Sequence, residues 1–84
     1  MDLAERAMIK TFFRDLLAEH DDHEPFGDAE SLVAGGRLDS LSVAKIVTFL
    51  ETEFGVDFVR IEFDPARFDS VAEIAALIDE SRQL

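Results

Sequence analysis

Apolar residues recur at helical spacing from Leu3 to about Glu19, at Leu3, Ala7, Met8, Phe12, Phe13, Leu16 and Leu17. That period predicts an amphipathic first helix. A polar run follows, His20-Asp21-Asp22-His23-Glu24-Pro25, and then Phe26-Gly27-Asp28. It reads as a long loop from which Phe26, Leu32 and Val33 are expected to drop back into the core. Gly35-Gly36 closes the loop. A second helix is expected from about Ser40 to Phe54, with Asp39 as its N-cap and Gly55 as its stop. Its core stripe is Val43, Ile46, Val47, Leu50 and Phe54.

The rest of the chain alternates between short signals. Phe58 to Phe63 alternates weakly, but a lone strand has no partner, so an extended loop is expected. Asp64 followed by Pro65 predicts a short third helix through Phe68. Ser70-Val71-Ala72-Glu73 has the spacing of a capping box and opens the last helix, whose apolar face is Val71, Ile74, Ala75, Leu77 and Ile78. The pattern contains no repeat and no low-complexity segment. It predicts an all-α fold, a small bundle of three main helices plus a short third helix, as a single domain over residues 1–84.

Composition narrows what this bundle does. The 84 residues hold no cysteine, so neither a disulfide nor a thiolate metal site reinforces the fold, and any thiol must arrive on a cofactor. With neither Trp nor Tyr, the core rests on aliphatic residues and eight phenylalanines. Eight Lys and Arg stand against 19 Asp and Glu, a net charge of −11. Such a surface repels phosphate backbones and anionic membranes, and it favours partners with basic docking patches. The start of the chain has neither a cationic segment nor an apolar signal core, and no run reaches membrane-spanning length. The expectation is a cytoplasmic protein with no nucleic-acid partner and no membrane insertion, monomeric when free.

Ser40 is the most informative residue. It is a hydroxyl behind Gly35-Gly36-Arg37-Leu38-Asp39, where an apolar helix begins. Amides at a helix start are unpaired, and the dipole there favours negative charge, so a phosphodiester on Ser40 sits in a favourable field. Asp39-Ser40-Leu41, with Leu50-Glu51 and Glu53-Phe54-Gly55-Val56 closing the helix, resembles the acyl carrier protein family. The resemblance spans roughly Asp28 to Leu77. It implies an acyl-carrier-protein-like four-helix bundle in which Ser40 carries a covalent phosphopantetheine arm. Asp39 would serve the helix start and transferase recognition. In typical fatty-acid carriers a glycine commonly stands three residues before the modified serine; here that position is Arg37 and the glycine is Gly36, four residues before. Glu62-Phe63-Asp64, Phe68-Asp69 and Ser70-Val71 are similar to D-alanyl carrier proteins and discrete aminoacyl carriers.

The function so implied is a discrete carrier, not an enzyme. It would hold an aminoacyl or acyl group as a thioester and present it to partners. Those partners are a phosphopantetheinyl transferase, an amino acid or acyl carrier-protein ligase, and a downstream acyl-transfer enzyme. Leu41, Ala44, Lys45, Thr48 and Thr52 on the open side of the second helix are the expected docking face. Rival readings are a fatty-acid or polyketide carrier and, from another class, an unmodified acidic helical adaptor. Ser40 as a hydrolase nucleophile lacks the Gly-x-Ser-x-Gly elbow, and His20 and His23 would have to fold over the helix start to serve it. His20-Asp21-Asp22-His23-Glu24 has metal-binding atoms but no zinc or calcium spacing, so it reads as a solvated acidic loop and no metal site is expected.

Overall fold

Asp2 caps the first helix, α1 (Leu3–Glu19), by accepting the Glu5 amide at 2.8 Å, while the Glu5 carboxylate takes the Asp2 amide in return. The structure, a computed structural model, describes residues 2–83. A complete capping box thus forms at a position where none was expected. At Ser70, where the sequence suggests one, the structure shows the Ser70 half: its hydroxyl accepts the Glu73 amide at 3.2 Å. The remaining elements are α2 (Ser40–Phe54), a 3-10 helix (Pro65–Phe68) and α3 (Val71–Ser81). Among the described residues there is no strand. The radius of gyration, 12.0 Å, matches the value of about 12 Å for a folded chain of this length.

The core is drawn from every element. Ile9, Phe13, Leu16 and Leu17 come from α1, Val43, Ile46 and Leu50 from α2, and Val71, Ile74, Leu77 and Ile78 from α3. Phe68 on the 3-10 helix is fully buried among them. Val47, Phe49 and Phe54 are half-buried at the margin. The α1 stripe differs from the expected one. Leu3 is 87% and Met8 41% exposed, Ala7 is exposed, and Ile9, which the expected stripe omits, is buried. At 100° per residue, Ile9, Phe13 and Leu16 share one line, whereas Met8 lies on the flank beside Phe12 and Ala7 on the side away from the core.

The connection from α1 to α2 is tied at three points. Asp28 pairs with Arg6 and Lys10 of α1 at 3.1 and 3.0 Å, and its carbonyl accepts the Ala72 amide of α3. The Asp69 carboxylate accepts the Val33 and Ala34 amides, both at 2.8 Å, and its carbonyl takes that of Leu32. Leu32 is thereby held fully buried. Arg37 forms the third tie, described below. A Cβ on Gly35 would meet the Ser31 carbonyl oxygen at 2.2 Å, and Gly36 has φ 91°. Neither position accepts a side chain without strain.

Gly55 ends α2 at φ 63°, and Phe58 to Phe63 forms a loop with no strand, as expected, but its first half is turned and not extended. Asp57 accepts the Val59 amide on its side chain and the Arg60 and Ile61 amides on its carbonyl, folding the segment into a turn. Buried Val56 and Ile61 anchor it on either side. No helix among the described residues is long and apolar enough to cross a membrane.

Candidate functional site

Asp39 is extended (φ −118°, ψ −176°) and caps α2, so Ser40 is the first residue of that helix. The Asp39 carboxylate accepts the Ser42 amide at 2.9 Å and the Ser42 hydroxyl at 3.0 Å, both on Oδ1. The amide bond above all, and then the hydroxyl, hold its pKa below the ordinary carboxylate value. Its carbonyl accepts the Val43 amide. The amides of Ser40 and Leu41 are left at the open helix mouth, beside the exposed Ser40 side chain.

The two serines of this turn have opposite fates. Ser40 is exposed, whereas Ser42 is 2% exposed and its hydroxyl is committed on both sides. His20, the C-cap of α1, places Nε2 3.2 Å from Ser42 Oγ. Because the Ser42 proton points to Asp39, the imidazole must donate through Nε2. A hydrogen-bond chain His20–Ser42–Asp39 therefore joins the end of α1 to the start of α2. One of the two histidines does fold over the helix start, but not as in a hydrolase. In a catalytic triad the imidazole lies between serine and aspartate and takes the serine proton. Here the serine is in the middle, and its oxygen accepts a hydrogen bond from the imidazole.

Arg37 anchors the approach to Ser40. Its Nε and Nη2 bond the two Asp22 oxygens at 2.9 and 3.0 Å; Nη1 bonds Glu30 at 2.7 Å. The Pro25 and Glu24 carbonyls accept the remaining two N–H groups at 3.2 and 2.8 Å. All five guanidinium donors are used. The Arg37 bond is the main cause holding the carboxyls of Asp22 and Glu30 below their ordinary range. The run His20–Glu24 is consequently drawn apart: His20 turns to Ser42, Asp22 to Arg37, and His23 lies 3.4 Å from Asp21. Sequence reasoning missed these partners. One signal was present, since Arg37 is the lone Arg or Lys between Glu19 and Ser40, among six acidic residues.

An open cleft of about 550 Å³ borders Ser40, lined by Val33, Val43, Ala44, Val47, Phe63 and Pro65. Its walls are apolar, and Phe63 remains 53% exposed at its edge. No protein-family model matches the chain, and neither does a curated protein or a solved structure.

Of the expected docking residues, Ala44, Lys45, Thr48 and Thr52 share a second groove, facing α1. Leu41, 64% exposed, is not part of its lining. Lys45 bonds Glu19 at the end of α1. The Thr48 hydroxyl donates to the Ala44 carbonyl of its own helix at 3.2 Å. Phe12, Phe49 and Glu19 line this groove too, and sequence reading did not place them there.

Proposed function

We propose that this chain is a discrete carrier protein, an acyl-carrier-protein-like bundle that is modified on Ser40 and is not itself a catalyst. The observation that carries the reading is the contrast within one helical turn: Ser40 is exposed at the helix mouth, and Ser42 is buried and committed. The phosphopantetheine arm, when attached, supplies the thiol that the cysteine-free chain lacks and so a place for a thioester. The chain's own residues do the rest. Asp39 spends its carboxylate on Ser42, which keeps it from occupying the Ser40 and Leu41 amides. Those amides and the helix dipole favour a phosphodiester at Ser40. The Arg37 and Asp69 ties hold the segment before the serine, so the cargo moves on its arm rather than with the loop.

Such a protein works with a phosphopantetheinyl transferase, a ligase that loads the cargo, and an enzyme that removes it. The resemblance to aminoacyl carriers favours an amino-acid cargo. A second reading, a fatty-acid or polyketide carrier, is favoured by the apolar cleft beside Ser40, which suits an alkyl chain better than a charged amine. An acidic surface and the absence of a long apolar helix among the described residues fit a cytoplasmic setting for either.

Incubation with coenzyme A and a broad-specificity transferase tests the reading by intact mass. Wild type is expected to gain one phosphopantetheine group and Ser40→Ala none. An unmodified wild-type chain, or attachment at another serine, rejects it.

A further inference from the structure

A groove runs along each flank of α2. One is the cleft at Ser40. The other separates α1 from α2 and is lined neither by Ser40 nor by the loop before it. It consists of two stretches of about 470 Å³ each. Phe12, Phe49 and Glu53 line both, so the stretches form one trough. Its floor is the Phe12–Phe49 pair, stacked with centroids 4.1 Å apart and planes 9° from parallel. Exposed Met8, one turn before Phe12, continues the floor towards the start of α1. This is the apolar flank of α1 that does not enter the core.

The rim has a definite charge. Asp15, Glu19 and Glu53 border the trough, and Lys45 is the one basic residue among its lining. Glu19 is bonded to Lys45, whereas Asp15 and Glu53 make no ion pair among the described residues. The unbalanced charge on the rim is therefore negative.

We propose that this trough binds an amphipathic helix of a partner protein, one whose apolar ridge is flanked by lysine or arginine. A trough between two helices, floored by aromatic rings, fits a ridge of large side chains at helical spacing. Flanking cations would meet Asp15 and Glu53, carboxylates that make no ion pair among the described residues. The same rim disfavours a second copy, which would bring like charges together, and an anionic lipid surface. A helix seated there leaves the Ser40 cleft open, so the protein can be held on one flank of α2 while the other is read. The proposal stands apart from modification of Ser40.

The test therefore uses the full chain carrying Ser40→Ala. The probe is an acetylated Leu/Lys peptide several turns long, with leucines at i, i+3, i+4 and i+7; its control is a scrambled peptide of the same composition. Titration at physiological ionic strength is followed by ¹H–¹⁵N spectra. Saturable binding is expected, with shifts confined to the Ala7–Glu19 and Lys45–Glu53 flanks and the scrambled peptide at least about tenfold weaker, a difference of about 1.4 kcal/mol. Asp15→Lys with Glu53→Lys should weaken binding by a similar factor. Glu24→Lys with Glu62→Lys, the same change in net charge at exposed sites outside the trough, should leave it within about twofold. Thermal melts of both double variants check that they are folded. Shifts spread over the whole acidic surface, equal binding of the scrambled peptide, or equal loss in both variants would reduce the interaction to bulk charge and overturn the proposal. A concentration-dependent dimer occupying the trough would overturn it as well.

Discussion

Arg37 grips Asp22 with two parallel N–H···O bonds, Nε to Oδ2 at 2.9 Å and Nη2 to Oδ1 at 3.0 Å, across 15 positions of sequence. This fork, with the bonds to Glu30 and two carbonyls, fixes the loop that delivers Ser40. Lysine cannot reproduce it, having one nitrogen where arginine has three. Arg37→Lys and Arg37→Ala are therefore both expected to raise amide exchange from Asp22 to Arg37, with Ile74–Ile78 still protected. Unchanged exchange in that loop would show that the fork is dispensable.

Ser42 and Ser40 are predicted to respond oppositely to replacement. Ser42→Ala removes the middle of the His20–Ser42–Asp39 chain but keeps the Ser42 amide bond to Asp39. It should cost about 0.5–1.5 kcal/mol of stability and leave Ser40 open to modification. Urea unfolding and intact mass after transferase treatment read both effects. Loss of modification in Ser42→Ala would mean that Ser42 contributes more than support to the helix start.

Acid is predicted to destabilise the fold. The carboxyls of Asp22, Asp28, Glu30 and Asp39 are held below their ordinary values of 3.8 for Asp and 4.5 for Glu, chiefly by bonds to Arg37, Lys10, Arg37 and the Ser42 amide in turn. Glu5 is lowered to about 2 by its bonds to Arg82. Burial pushes Asp69 up, but the Ser31 hydroxyl and the Ala34 and Val33 amides outweigh it and leave it lowered. In each case the unfolded chain takes up protons first, so stability falls as pH drops below about 4.5 towards the lower folded values. Relief of self-repulsion among the −11 charges opposes this. Melting temperatures from pH 7 to pH 3 check the direction, and a rise on acidification would contradict it.

Core and surface of α2 should separate cleanly. Leu50 is fully buried, and Leu50→Ala is expected to cost about 2–5 kcal/mol through the cavity it leaves. Lys45→Glu breaks an exposed pair with Glu19, of a kind worth about 0–1 kcal/mol, and should barely move the melt. Equal destabilisation by the two would mean that the Lys45–Glu19 pair holds α1 to α2.

Much of this was legible along the chain, and the rest was not, for physical reasons. The borders of α2 could be read because Asp39 and Gly55 are local signals, each acting on amides or carbonyls within one turn. The apolar face of α3 could be read because its five residues form one stripe with nothing apolar beside it except Ala72 and Ala76. On α1 the apolar residues occupy two flanks, and periodicity alone does not say which meets the core, so Ile9 was passed over for Ala7 and Met8. The turn at Asp57 was hidden because its side chain acts on an amide that hydropathy does not register. At the site, the exposure of Ser40 follows from its place at a helix start. The bonds of His20 to Ser42 and of Arg37 to Asp22 depend on where α1 ends relative to α2, which is a property of the packed molecule.

The most direct measurement is the mass of the protein isolated from its source under conditions that preserve thioesters, followed by fragmentation to place any added group. One phosphopantetheine arm on Ser40 is expected, with or without an aminoacyl or acyl group on its thiol. A native chain without the arm, or with it on Ser42 or elsewhere, would contradict the account.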